Sequence, residues 1–274
     1  IQSFADGNIL QTVVIAILLG VAILRMKNPE HKEKAIKGMN VLNDMVFSLI
    51  NMIMLVSPIG VFFLMGDSFG KYGAGIFTSM ATLVGTYYLA CLVHVVLVYC
   101  TVIWVTAGIN PLKFLKDSAE LWVYTISTCS SVAAIPINIK VAKEKFNVPE
   151  TISGFTVPLG SQMNYDGSVI LYGCVILFIS QTIGVPVTLG TMVKIILMSA
   201  ILSTGGGGIP GSGIVKLLVM VTAFGLPTEI VGIIAAFYRL FDMGTTTNNC
   251  LGDLAGTVFV SKLDRKSTRL NSSH

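Results

Sequence analysis

Two apolar stretches of this sequence are too short to cross a bilayer, and each stops at a polar tip. Leu121 to Thr128 runs into Cys129-Ser130-Ser131, and Thr191 to Ser203 runs into the glycine-rich segment Thr204 to Gly213. A spanning helix needs about 20 apolar residues, and irregular backbone at membrane depth is tolerated only where it is buried in protein or lines a cavity. Lys113 and Lys116 precede the first stretch, and Lys140, Lys143 and Lys145 follow its return, so both ends lie on the cytoplasmic side. The second returns through Ile214 to Phe224, and the turns around it, Gly184 to Gly190 and Gly225 to Glu229, carry no lysine or arginine. It is expected to enter from outside. The tips echo each other: Ser127-Thr128 then Ala133-Ala134-Ile135-Pro136, against Ser203-Thr204 then Gly207-Gly208-Ile209-Pro210. Short interrupted segments at matching positions of two oppositely oriented repeats point to a transporter's midplane site.

The rest of the chain is consistent with lipid as the solvent. Of 274 residues, 53% are hydrophobic and 12% charged, with mean hydropathy +0.79; a soluble domain carries about 25% charged residues. Spans are expected at Asn8 to Leu24, at Val41 to Met65 with a bend or end near Ser57-Pro58, and at Ile76 to Val105. Tyr87, Tyr88, Tyr99 and Trp104 would anchor the last of these at the interfaces. The basic run Arg25 to Lys37 is assigned to a cytoplasmic loop. Cys91, Cys100, Cys129, Cys174 and Cys250 lack metal-ligand spacing and read as small core residues, and His31, His94 and His274 do not cluster. A net charge of +4 is too small to suggest nucleic acid. Ile1 is not a natural start, no secretory signal is visible, and Lys266 to His274 changes composition so abruptly that it reads as a non-native tail.

Polar residues concentrate in two places. As a helix, Asp242, Thr245, Thr246, Asn249 and Asp253 share one arc of roughly a third of the circumference. In lipid, two carboxylates there cost several kcal/mol each unless something binds them. Phe155 to Ile183 is interrupted by Pro158-Leu159-Gly160 and by Asn164-Tyr165-Asp166-Gly167-Ser168, so its backbone is expected to unwind partly around a polar site. The half-helix beginning near Ser212 points its positive end at the glycine tip, which suits a carboxylate. Asp242 suits an ammonium group, and Asn164, Asn249, Asp253 and Asp166 offer hard oxygens suited to sodium, with protons an alternative coupling ion. A rival reading takes Gly206, Gly208 and Gly211 as G-x-G-x-x-G with Glu229 as the ribose acid of a membrane-bound dinucleotide enzyme. Alternating strand-helix units do not surround it, and Ser212 stands where a phosphate-binding lysine would be.

From about Asn8 to Lys262 the sequence resembles the C-terminal two-thirds of the dicarboxylate/amino acid:cation symporter family, which has the glutamate-transporter fold. The serine-containing tip, PLG-x3-N-x-DG, the glycine-rich hairpin ending I-P-G-x-G, and D-x6-N-x3-D occur in that family's order and spacing. The resemblance implies that Asp242 holds a substrate α-amino group with Thr246 and Asn249 beside it. Backbone at Ser130, Ser131, Gly208, Ile209 and Gly213 would wrap the α-carboxylate. One sodium would sit on Asp253 with the carbonyls of Gly160, Asn164 and Asn249, and a second on the backbone of Ser203, Thr204, Gly206 and Gln162. Asp166 and the Asn164 side chain would serve a third. Members that carry acidic substrates place an arginine where this chain has Thr245, and Cys129 stands where some relatives carry a tip arginine. The expected substrates are therefore small neutral amino acids, with Arg239 as the nearest substitute cation and a glutamate, aspartate or C4-dicarboxylate symporter as the alternative. Tyr165 stands in place of the family's methionine.

The expected architecture is an all-α polytopic membrane protein with two re-entrant hairpins in inverted repeats. Residues 1–66 would form part of a trimeric scaffold, and 72–264 a transport domain moving in an elevator-like cycle. That domain would hold a span, a hairpin at about 111–145, a broken span at about 155–183, an outer hairpin at about 191–224 acting as gate, and a final span at about 229–262. Residues 266–274 are left outside it. The implied protein is a symporter rather than an enzyme, without a resident cofactor, in the plasma membrane with its C-terminus in the cytoplasm.

Overall fold

The computed structural model describes residues 9–73, 75–203 and 212–271. The chain divides into two compact units, Ile1–Gly70 and Lys71–His274. In the first, α1 (Ile9–Leu24) is apolar apart from Gln11 and Thr12, and α2 (Pro29–Tyr72) follows a four-residue turn. The turn is set by Asn28, whose Oδ1 accepts from the backbone N–H groups of Glu30 and His31 at 3.0 and 3.3 Å, with Pro29 at the first helical position. Lys32 Nζ donates to the Leu24 carbonyl at 3.0 Å, closing the end of α1. The basic loop expected over Arg25 to Lys37 is thus confined to residues 25–28, and its lysines from Lys32 onward ride on α2. Nor does α2 end at Ser57-Pro58. Proline removes one helical donor, and in a long apolar helix the remaining ladder carries through. Leu55 is 81% and Phe62 73% exposed, surface that lipid or another protein must cover.

The second unit is built around one helix. Its elements are α3 (Gly75–His94), a π turn (Val95–Cys100), α4 (Thr101–Ala107), α5 (Pro111–Asp117), α6 (Ala119–Thr128) and α7 (Ser131–Phe146). After these come α8 (Glu150–Met163), α9 (Asp166–Thr182), α10 (Leu189–Ser203), α11 (Ser212–Ala223) and α12 (Glu229–Asn271). No strand occurs among the described residues. Two helical runs, Phe77–Ala107 and Glu150–Thr182, are long and apolar enough to cross a membrane. α12 packs against α3, the π turn, α4, α6, α7, α8, α9 and α11, so its polar turn lies at the centre of the unit. It continues to Asn271, past the change in composition at Lys266.

The first hairpin forms as two half-helices. α6 ends at Cys129, which takes a left-handed φ of 52°, and Ser130 caps α7 by accepting from the Ala133 N–H at 3.2 Å. Of the second hairpin, α10 and α11 are helical, and its tip lies outside the described residues. The broken span is interrupted over a shorter length than expected: Pro158 to Gly160 stay inside α8, and only Asn164 and Tyr165 leave the helical ladder. The expected interface anchors also divide. Trp104 is 62% exposed, whereas Tyr87 and Tyr99 are buried and Tyr88 bonds the Leu240 carbonyl at 2.7 Å. A tyrosine buried by a neighbouring helix needs a partner for its hydroxyl, and α9 and α12 supply them.

Candidate functional site

A polar cavity opens where both hairpins meet the middle of α12. α12 lines it with Tyr238, Asp242, Thr245, Thr246 and Asn249. The first hairpin contributes Cys129 and Ser131, the broken span Tyr165, Ser168 and Tyr172, and α11 Gly213 and Lys216. With Ser131 and Gly213 at the cavity, α7 and α11 each present an N-terminal, electropositive end to it. Close approach is secured by absent side chains. A Cβ on Gly167 would stand 2.6 Å from the Thr245 carbonyl oxygen, and one on Gly213 would collide with the Tyr238 hydroxyl. Tyr87, on α3, shares a 2.8 Å hydrogen bond with Thr245 Oγ1, so that hydroxyl is held by the protein itself.

A second cavity lies one helical turn further along α12, lined by Asp253, Asn164, Asp166, Gly160 and Tyr99 among others. Asn164 Nδ2 donates to the Asn249 carbonyl at 2.9 Å and to Asp253 Oδ1 at 3.1 Å. The Gly167 N–H donates to Asn249 Oδ1 at 2.8 Å. Asn249 therefore borders the first cavity with its side chain and is tied to the second through its carbonyl. Asp253 Oδ2 is buried with no hydrogen-bond partner among the described residues. A buried carboxylate oxygen left in that state is costly, and a small hard cation would relieve it. A Cβ at Gly160 would stand 2.5 Å from Asp253 Oδ1, so glycine is what lets the carboxylate lie against α8. Asp166 accepts from the Tyr99 hydroxyl at 2.8 Å and meets His94 Nε2 at 3.2 Å. The π turn explains this pair. Residues five apart diverge by about 140° on an α-helix; widening the turn brings His94 and Tyr99 into edge contact, centroids 4.9 Å apart, on one carboxylate.

Of the residues expected to form one polar face, Asp242, Thr245, Thr246 and Asn249 meet at the first cavity and Asp253 at the second. The face is divided between two sites. Ser131 and Gly213 join the first, and Ser130 caps α7 beside it. Gly160, Asn164 and Asp166 join the second. Gln162 lies on α8 with its side chain exposed, lining neither cavity, and Ser203 ends α10. Thr204, Gly206, Gly208 and Ile209 lie outside the described residues. Arg239 does not line the first cavity; its Nη2 donates to the Ser127 carbonyl at 2.7 Å. The residue that sequence reasoning passed over is Lys216, 7% exposed, with its Nζ 4.3 Å from the centroid of the Tyr165 ring. A single lysine inside the short apolar helix Ser212–Ala223 was the available signal, because an ionisable residue at membrane depth marks a site by default.

A sequence profile of the sodium:dicarboxylate symporter family matches residues 1–263, nearly the whole chain. The chain belongs to the sodium:dicarboxylate symporter family. Among characterised proteins it is similar to the proton/sodium-glutamate symport protein of Bacillus subtilis (strain 168), 30% identical over 95% of this chain and 60% of the relative. It is 29% identical to excitatory amino acid transporter 3 of Mus musculus, over 96% of this chain and 50% of the relative. It is also 29% identical to the C4-dicarboxylate transport protein of Solibacter usitatus (strain Ellin6076), over 96% of this chain and 60% of that protein. The chain thus spans between 50% and 60% of the length of these relatives. As a member of this family it is an all-helical membrane protein.

Proposed function

We propose that this chain is the substrate- and cation-binding part of a sodium-coupled symporter for small amino acids or dicarboxylates. The observation that carries the reading is the pairing on α12 of a cavity that holds Asp242 and two helix N-termini with a second, adjacent cavity holding Asp253, whose Oδ2 has no hydrogen-bond partner among the described residues. In the first, an ammonium group would sit on Asp242 and a carboxylate on the N-termini of α7 and α11, with Thr246 and Asn249 as further polar contacts. In the second, Asp253 with carbonyls from α8 and α12 would take one sodium, and Asp166 with Asn164 another. The glycine tip, with Ser203, Thr204, Gly206 and Gln162, would close over a further sodium and gate the substrate. Asn249 would couple the two sites, since it lines the first cavity and its carbonyl is held by Asn164 at the second. Residues 1–66 would belong to a trimeric scaffold and 72–264 to the moving domain.

Thr245 favours small neutral substrates, because a threonine hydroxyl bonded to Tyr87 tolerates a methyl or hydroxyl group and carries no charge. That preference presumes no fixed cation nearby. Lys216 favours the second reading, an acidic amino acid or a dicarboxylate. The test is uptake of labelled serine, aspartate and succinate into proteoliposomes containing the full-length protein, with and without an inward sodium gradient. Sodium-driven uptake abolished by Asp242→Asn is expected for an amino-acid substrate; uptake of none of the three would overturn the transport reading.

A further inference from the structure

Asn248 stands between the two cavities and lines neither. On α12 it comes one turn after Gly244 and one turn before Gly252, so the three share a face. The two glycines show that α3 and the π turn cover that face. A Cβ on Gly244 would meet the Tyr87 ring at 2.9 Å, and one on Gly252 the Tyr99 hydroxyl at 2.6 Å. From another side α9 closes in, since a Cβ on Gly167 would lie 3.1 Å from that of Asn248. The side chain is thus shut into the seam of three helices and is 2% exposed. Its Oδ1 and its Nδ2 both lack a hydrogen-bond partner among the described residues.

A buried amide unmatched at both ends is costly, and its chemistry names what would relieve it. A cation satisfies only the oxygen, and an anion only the nitrogen. Water both donates and accepts, and a buried water makes about three bonds to groups of this kind. Hydroxyls stand on either side to share it. Toward the first cavity Tyr87 and Thr245 are bonded at 2.8 Å, and toward the second Tyr99 is bonded to Asp166 at 2.8 Å. We propose that Asn248 is a buried water site, and that water held on its amide links the Tyr87–Thr245 pair at the first cavity to the Tyr99–Asp166 pair at the second. This link is separate from the direct one through Asn249. Its role in coupling rests on the transport reading above; the site itself does not.

The experiment uses the full-length protein as wild type, Asn248→Leu and Asn248→Ser, in sodium or choline, with aspartate, serine and succinate as probes. Leucine is close to asparagine in size and has no polar atom, whereas serine keeps a group that donates and accepts. A wild-type structure that resolves ordered water is expected to show density within about 3.2 Å of both Oδ1 and Nδ2. Density missing at either atom overturns the site. Asn248→Leu is expected to melt about 2–4 °C or more below wild type, because the hydroxyls that share the water lose a partner. An unchanged or raised melting temperature would mean a dry amide, since removing an unmatched buried polar group is neutral or stabilising. Stabilisation by sodium alone should be the same in Asn248→Leu as in wild type; its loss would make Asn248 a cation ligand and overturn the water. Sodium is expected to tighten probe binding in wild type, and Asn248→Leu to cut that factor by about threefold or more. Asn248→Ser should keep most of it. An uncut factor in Asn248→Leu overturns the coupling role, as does a factor lost in Asn248→Ser, and these serine and density results decide if the leucine variant does not fold. If none of the three probes binds to wild type, the transport reading fails while the density still decides the site.

Discussion

Two positions on and beside α12 have contacts from which the effect of a substitution follows. Asp253 Oδ2 is buried with no hydrogen-bond partner among the described residues, while Oδ1 is held by Asn164. Replacing the carboxylate with an amide in Asp253→Asn removes the charge that would draw a cation. Sodium is therefore expected to raise the melting temperature of the wild-type full-length protein and to have little effect on the variant. A ligand at a hundred times its dissociation constant stabilises by about 2.7 kcal/mol, so the difference is measurable by thermal unfolding in sodium against choline. Gly167 has a different constraint. Its missing Cβ would meet backbone atoms of Thr245, 2.6 Å from the carbonyl oxygen and 2.8 Å from Cα, and backbone in a packed helix does not yield as a flexible side chain does. Gly167→Ala is expected to cost about 1–3 kcal/mol or more, lowering the melting temperature and displacing α9 from the cavity. A variant with unchanged stability would show that the two helices have room to part.

At the scale of elements, the π turn Val95–Cys100 governs the second cavity. Inserting one residue there, for example an alanine after Val96, which is half-exposed, would turn Tyr99 by about 100° relative to His94 and away from Asp166. The insertion is expected to reduce sodium-dependent stabilisation and uptake sharply, while Val96→Ala, which keeps the register, leaves both near wild type; equal behaviour of the two would show that the turn has no part in the site. The hairpins show how much of an element is written locally. Asn110 and Pro111 begin α5, with Asn110 Oδ1 accepting from the Leu112 N–H at 2.8 Å, and Ser130 begins α7; both are short-range signals readable from neighbouring residues. The π turn has no such signature. It is a helical run whose extra residue is absorbed because His94 and Tyr99 meet Asp166, more than sixty residues away in sequence.

For the whole molecule, the two units differ in how their polar groups are used. In Ile1–Gly70 the polar contacts described lie at the α1–α2 turn, and large apolar side chains such as Leu55 and Phe62 are exposed. Leu55→Lys would place an ammonium on this exposed face. At the centre of a membrane helix a lysine costs roughly 2.5–3.5 kcal/mol of insertion free energy. A glycosylation-site insertion reporter should show a reduced inserted fraction for that variant, and no change would mean that this face meets water. In Lys71–His274 the polar groups turn inward, onto α12, where burial and paired donors replace solvent.

The sequence by itself determined the class of fold, the interrupted hydrophobic segments and most of the polar residues that meet at α12. Those features depend on composition, helical period and breaks, which are local and survive without knowledge of neighbours. It also marked Asp242 and Asp253 as costly in lipid, since an ionised group has that cost wherever the helix goes. Only the tertiary structure decided that this one face serves two cavities, that Tyr87 and Tyr99 bond Thr245 and Asp166 instead of facing the interfaces, and that Lys216 stands over Tyr165 in the first cavity. Each of these is a meeting of side chains from helices far apart in the chain, and a helical period tells which way a residue points on its own axis but not which helix lies opposite.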